Sequence, residues 1–134
     1  MYKIELVKDG NQIGFINIKV SRTDNPLIFS IFYSDTIENS GNFTCDDLFL
    51  GLSTIRGIYD QLNIKLLCEG SMDNVYPGGL ASEESQGEIA YKYNKYSNSY
   101  EQVNIFKPVD ITLVDHIVTS DTQKENRRQA IRNL

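Results

Sequence analysis

Histidine and cysteine, the residues that most often mark metal centres and nucleophilic sites, are scarce here: one histidine and two cysteines in 134 residues. Cys45 and Cys68 are too far apart for a zinc knuckle or a CxxC redox pair, and both read as reduced thiols. His116 has no second histidine to share a transition metal with, so neither a metal nor a cofactor is expected. Spaced oxygen ligands of an EF-hand are missing, and the Pro77-Gly78-Gly79 turn lacks the lysine and following Ser/Thr of a phosphate-binding P-loop. No apolar run is long enough to span a bilayer: "MYKIELVKDGNQIG" alternates apolar and polar residues and then turns. The expectation is a cytoplasmic protein with no membrane partner. Positive charge is also short, giving a net charge of −5.

What is present is globular in composition, with 40% hydrophobic and 23% charged residues, and the length suits one domain, 1–134. Alternation predicts a strand over Tyr2 to Val7 and a partner over Ile13 to Val20, joined through the turn pair Asp9-Gly10. "LIFSIFY", Leu27 to Tyr33, reads as a third, well-covered strand. After a loop, "SDTIENSGN", Thr44 is the expected helix N-cap, with Asp46 and Asp47 in the first turn. Leu48, Leu52, Ile55, Tyr59 and Leu62 then recur at helical spacing. Gly51 and Gly57 weaken that helix by about 1 kcal/mol each unless something packs closely on them. Asn63 ends it, and Ile64 to Cys68 reads as a short buried strand.

From Gly70 to Gly87 the pattern is irregular, and the segment reads as a long loop of functional or strand-capping purpose. Glu88 to Tyr96 and Tyr100 to Phe106 alternate again as a hairpin. Ile111 to Val118 is apolar and ambiguous between helix and strand, and 122–134 reads as a short terminal helix whose apolar content is Ala130, Ile131 and Leu134. The fold class that follows is α+β: a mostly antiparallel sheet with one long helix packed on a face and a short C-terminal helix.

Charge divides unevenly. The last eleven residues hold four cations against one anion, a balance of +3 that leaves −8 on residues 1–123. Such a body repels nucleic acid and steers a basic partner toward itself. Tyr91, Tyr93, Tyr96 and Tyr100 gather at the late hairpin. Tyrosine supplies large contact area with a polar handle, so Tyr96 and Tyr100, near the hairpin loop, are candidates for protein recognition. Tyr91 and Tyr93 fit cross-strand packing. A nucleic-acid stacking platform would need more cations than Lys92 and Lys95.

The segments Val75-Tyr76-Pro77-Gly78-Gly79, Gly87-Glu88-Ile89-Ala90-Tyr91 and Val103-Asn104-Ile105-Phe106 resemble those of a group of small bacterial proteins. Those proteins share a Val-Tyr-Pro-x-Gly segment followed by two strands. A Met-Ser-Arg-like run of that group is replaced here by Leu80-Ala81-Ser82-Glu83, which removes its arginine. Small acidic α+β proteins of this kind are similar in type to the immunity proteins of bacterial toxin systems, contact-dependent inhibition included. The resemblance implies a non-enzymatic protein that binds and neutralises a cognate toxin domain, a basic nuclease for example. The residues expected to touch it are Tyr76, Glu83, Glu84, Tyr96 and Tyr100. The alternative is a small-molecule site or enzyme pocket near Cys45, Gly78, Gly79 and His116, with Cys45 activated by a helix N-terminus.

Overall fold

The computed structural model describes residues 1–132, with side chains as far as Gln129. Three opening strands form, β1 (Tyr2–Lys8), β2 (Asn11–Arg22) and β3 (Phe29–Asp35), paired antiparallel in sequence order. β3 is covered on one face only, with Phe32 51% exposed and Leu27 outside the strand, because nothing among the described residues packs on the outer side of the sheet there. Asp9 (φ 52°) and Gly10 (φ 77°) both turn left-handed, as a two-residue hairpin turn requires. Ile4 and Leu6 of β1, Ile16 and Ile18 of β2, and Phe29 and Ile31 of β3 fall on one face by the two-residue period, and all six are buried.

Residues expected to loop into the long helix instead contain a fourth strand, β4 (Ser40–Cys45), paired along β3. Asp35 builds the turn that makes this possible: its Oδ1 accepts the backbone N–H groups of Ile37 (2.8 Å) and Asn39 (2.9 Å). Thr44 therefore sits in a strand, and the helix N-cap is Asp47, whose side chain accepts the Leu50 N–H at 3.0 Å. Periodicity missed β4 because its inward positions are Gly41, Phe43 and Cys45, too little apolar surface to register as alternation.

Helix α1 (Leu48–Asp60) lays Leu48, Leu52, Ile55 and Tyr59 on the sheet, all buried, while Leu62 lies past its end and is exposed. Gly51 is where helix and sheet approach most closely. A Cβ there would come within 2.7 Å of Ile31 Cδ1 and 2.9 Å of Cys45 Sγ, whereas Gly57 faces open space. Asn63 (φ 58°) turns left-handed just beyond the helix. The short β5 (Lys65–Leu66) then joins β1, giving the order β4-β3-β2-β1-β5.

The stretch from 70 to 87 is not an irregular loop. It holds a short strand β6 (Val75–Tyr76) and helix α2 (Gly79–Glu84), elements too brief for any sequence period to reveal. β6 pairs with β7 (Ile89–Asn94), and β7 with β8 (Ser99–Asn104), to make a second, three-stranded antiparallel sheet. The two sheets meet at 67–70: Leu67 N–H donates to Glu5 O of the first, and Gly70 N–H to Ile105 O (2.8 Å) at the end of the second. Tyr2 stacks on Phe106 across the same seam, ring centroids 4.6 Å apart.

The ambiguous segment at 111–118 folds as a 3-10 turn, Ile111–His116, capped by Asp110. Helix α3 (Ser120–Arg132) follows. The apolar contribution expected from Ala130, Ile131 and Leu134 lies outside the described side chains. What holds α3 is Gln123, 3% exposed. The two N–H groups of its Nε2 are shared among three carbonyls within hydrogen-bond distance, those of Gly70 (3.0 Å), Met72 (2.9 Å) and Val75 (2.9 Å). Among the described residues no helix is long and apolar enough to cross a membrane.

Candidate protein-binding face

The second sheet carries the tyrosines. Directly opposed residues in an antiparallel ladder share a face, and here the opposed pairs are Tyr76 with Tyr91 and Tyr93 with Tyr100. Four rings therefore stand on one side of three short strands. Tyr93 and Tyr100 touch, with centroids 5.0 Å apart and planes inclined by 41°. Tyr91 lies under α2, where its hydroxyl accepts the Ala81 N–H at 3.3 Å. Tyr76 donates its hydroxyl to Asp73 O at 3.0 Å. Burial pushes its pKa up, and the charges on Asp73 and Tyr100 add to the effect.

The β7–β8 turn projects the remaining ring. Asn94 Oδ1 accepts the N–H groups of Tyr96 (3.0 Å) and Ser97 (3.3 Å), and the Tyr93 hydroxyl donates to Asn98 Oδ1 at 2.9 Å, so the turn is held by its own side chains. On that turn Tyr96 is 91% exposed, and Tyr100 at the start of β8 is 52% exposed. Tyr76, Tyr93 and Tyr96 line a cleft of about 920 Å³ with Asp73, Glu101 and His116. Two cations line the cleft as well: Lys92 is paired with Glu69, Nζ to Oε2 3.1 Å, and Lys95 stands over the Tyr96 ring, 5.4 Å from its centroid, so the cleft carries charge of both signs.

Glu83 and Glu84 are exposed on α2, the helix that covers Tyr91. Glu83 borders a separate groove of about 410 Å³ with Asp46, Asp47, Gly78 and Arg127, and Glu84 borders neither hollow. Of the expected contact residues, Tyr76 and Tyr96 line the cleft, Tyr100 stands on the sheet against Tyr93 without lining it, and Glu83 and Glu84 lie apart on α2. Asp73, Tyr93 and Glu101 join the cleft without having been singled out for it. Tyr93 could have been found from the tyrosine spacing, whereas the position of Asp73 depends on β6, which carries no sequence signal.

The alternative constellation does not come together. Cys45 lines neither hollow, Gly78 borders the groove, and His116 belongs to the cleft, where its Nδ1 lies 3.1 Å from Asp73 Oδ2. Cys45 is also not at a helix N-terminus but at the end of β4. Burial pushes its thiol pKa up, and the Asp47 N–H only partly opposes that before the Asp47 and Asp46 charges raise it further. The alternative requires a thiol activated by a helix dipole, and the surroundings of Cys45 act in the opposite direction. Among the described residues no group of three or more His, Cys, Asp or Glu side chains is placed to hold a metal ion. No protein-family model matches the chain, and no curated protein matches it either.

Proposed function

We propose that this protein acts as an immunity-type inhibitor, binding a cognate toxin domain of basic charge and blocking it stoichiometrically. The observation that carries the reading is the exposure of Tyr96 and Tyr100 on a self-braced hairpin of a strongly acidic body. A turn whose backbone is already held by its own hydrogen bonds has less freedom to lose on binding, and tyrosine, with few rotatable bonds, adds little more. Negative charge on residues 1–123 accelerates encounter with a basic partner and disfavours nucleic acid. Glu83 and Glu84, exposed on α2, add to that field.

The test is calorimetry against the polypeptide encoded immediately upstream. A one-to-one complex weakened by salt is the expected result. Replacing both Tyr96 and Tyr100 by alanine should cost about 2 kcal/mol or more per anchor. Glu83→Gln with Glu84→Gln should mainly slow association. Absence of any complex overturns the reading.

A further inference from the structure

The tyrosine sheet ends in an unprotected edge. Ile105 N–H donates to Glu88 O, and Tyr93 N–H donates to Asn74 O. With the register Ala90 to Val103, Lys92 to Glu101 and Asn94 to Ser99, these two bonds set the whole alternation. The backbone groups of Ser99, Glu101 and Val103 face β7. Those of Tyr100 and Gln102 point away from the sheet and meet no partner among the described residues. Natural edge strands are usually blunted by lysine, proline or a bulge. β8, "SYEQVN", has no lysine, proline or bulge, carries a single charge at Glu101, and pairs without interruption along all six residues.

From this we infer that β8 is a docking edge to which a β-strand of a basic partner protein is added, its backbone pairing with Tyr100 and Gln102. The inference rests on the reading of the chain as an inhibitor and deepens it by naming the mode of contact. Such a strand would lie beside Tyr100 and extend the tyrosine face, so that main-chain pairing supplies affinity while the rings supply selectivity. Of the other edge strands, β5 and β6 are only two residues long, and β4 presents Ser40, Asn42 and Thr44 outward with no charged residue; its nearest exposed ring, Phe32, stands on the neighbouring strand β3. Charge decides between a foreign strand and a second copy. Two chains of net −5 repel, and Glu101 in the edge strand itself favours a cationic neighbour.

Gln102→Pro removes one outward N–H and leaves the β7 ladder intact, a position where an edge strand tolerates proline. Gln102→Ala removes the side chain and keeps the N–H. With the upstream-encoded polypeptide as probe, Gln102→Pro should lose at least about tenfold in affinity while Gln102→Ala binds as the native chain does. Amide hydrogen exchange on the native protein gives a readout independent of either variant. The Tyr100 and Gln102 amides should exchange freely alone and become protected in the complex, while Glu101 and Val103 are protected in both. A native complex that leaves Tyr100 and Gln102 unprotected, or that Gln102→Pro does not weaken, overturns the docking edge and leaves the inhibitor reading standing. A native chain that binds nothing overturns both. A self-association that Gln102→Pro dissolves overturns the foreign strand in favour of a second copy.

Discussion

The Arg56 guanidinium of α1 donates from Nη1 to Gln123 Oε1 of α3 at 2.8 Å, and both side chains are almost fully buried, 2% and 3% exposed. Arg56 also donates to Gly70 O (3.0 Å) and Val118 O (2.6 Å). Burial pushes its pKa down, and the nearby Cys68 and Asp60 pull it back only in part. The pair joins the long helix, the seam between the sheets and the terminal helix in one polar network. Removing either member strands buried partners, which is costly where water cannot replace them.

Gln123→Ala should therefore destabilise the protein by about 2–3 kcal/mol. Urea denaturation measures this. A loss confined to a few tenths would mean that water replaces the amide and that the network is not closed.

Asp35 should shape the acid limb of the stability curve. Burial alone would raise its pKa. Hydrogen bonds from the Tyr59 hydroxyl, from Asn39 and from the Ile37 N–H outweigh burial and hold it below the usual carboxylate range. A depressed folded pKa contributes stability above the unfolded value of about 4 that is lost as pH falls through the folded one. Asp35→Asn should accordingly be less stable at neutral pH, with a shallower fall toward acid. Parallel curves for the two proteins would assign the acid sensitivity elsewhere.

The two helical glycines of α1 should respond in opposite directions. Gly57→Ala meets open space and should gain about 1 kcal/mol from helix propensity. Gly51→Ala drives a methyl group into Ile31 and Cys45 and should lower the melting temperature.

Thiol titration should find two unequal and unreactive cysteines. Cys68 is fully buried, and its Sγ lies 3.3 Å from Ser71 Oγ, so it should react with Ellman's reagent only on unfolding. Cys45 is partly accessible, but its pKa is raised, so it should react more slowly than a free thiol at neutral pH and faster as pH rises. Fast reaction at neutral pH would restore a nucleophile at Cys45.

Much of the architecture is legible in single residues. Asp9-Gly10 specifies the first hairpin through its tolerance of left-handed backbone. Leu48, Leu52, Ile55 and Tyr59 specify the helix face through their spacing. Asn63 marks the end of that helix. Such features rest on interactions between near neighbours in the chain, which the order of residues states directly.

The tyrosine face and its open edge belong to the tertiary structure alone. Tyr76 meets Tyr91 only because a two-residue strand, too short for any period, pairs with β7, and that strand is held by Gln123 from nearly fifty residues away. β4 escaped notice because its stability comes from the Asp35 turn and from packing over Gly51 rather than from its own apolar content. The chain by itself determined the α+β class, the acidic balance and the presence of a tyrosine-rich hairpin. That Tyr76 joins the ring face, that Cys45 closes a strand instead of opening a helix and which strand edge stays open were decided by contacts distant in sequence, and nothing in the local pattern encodes those.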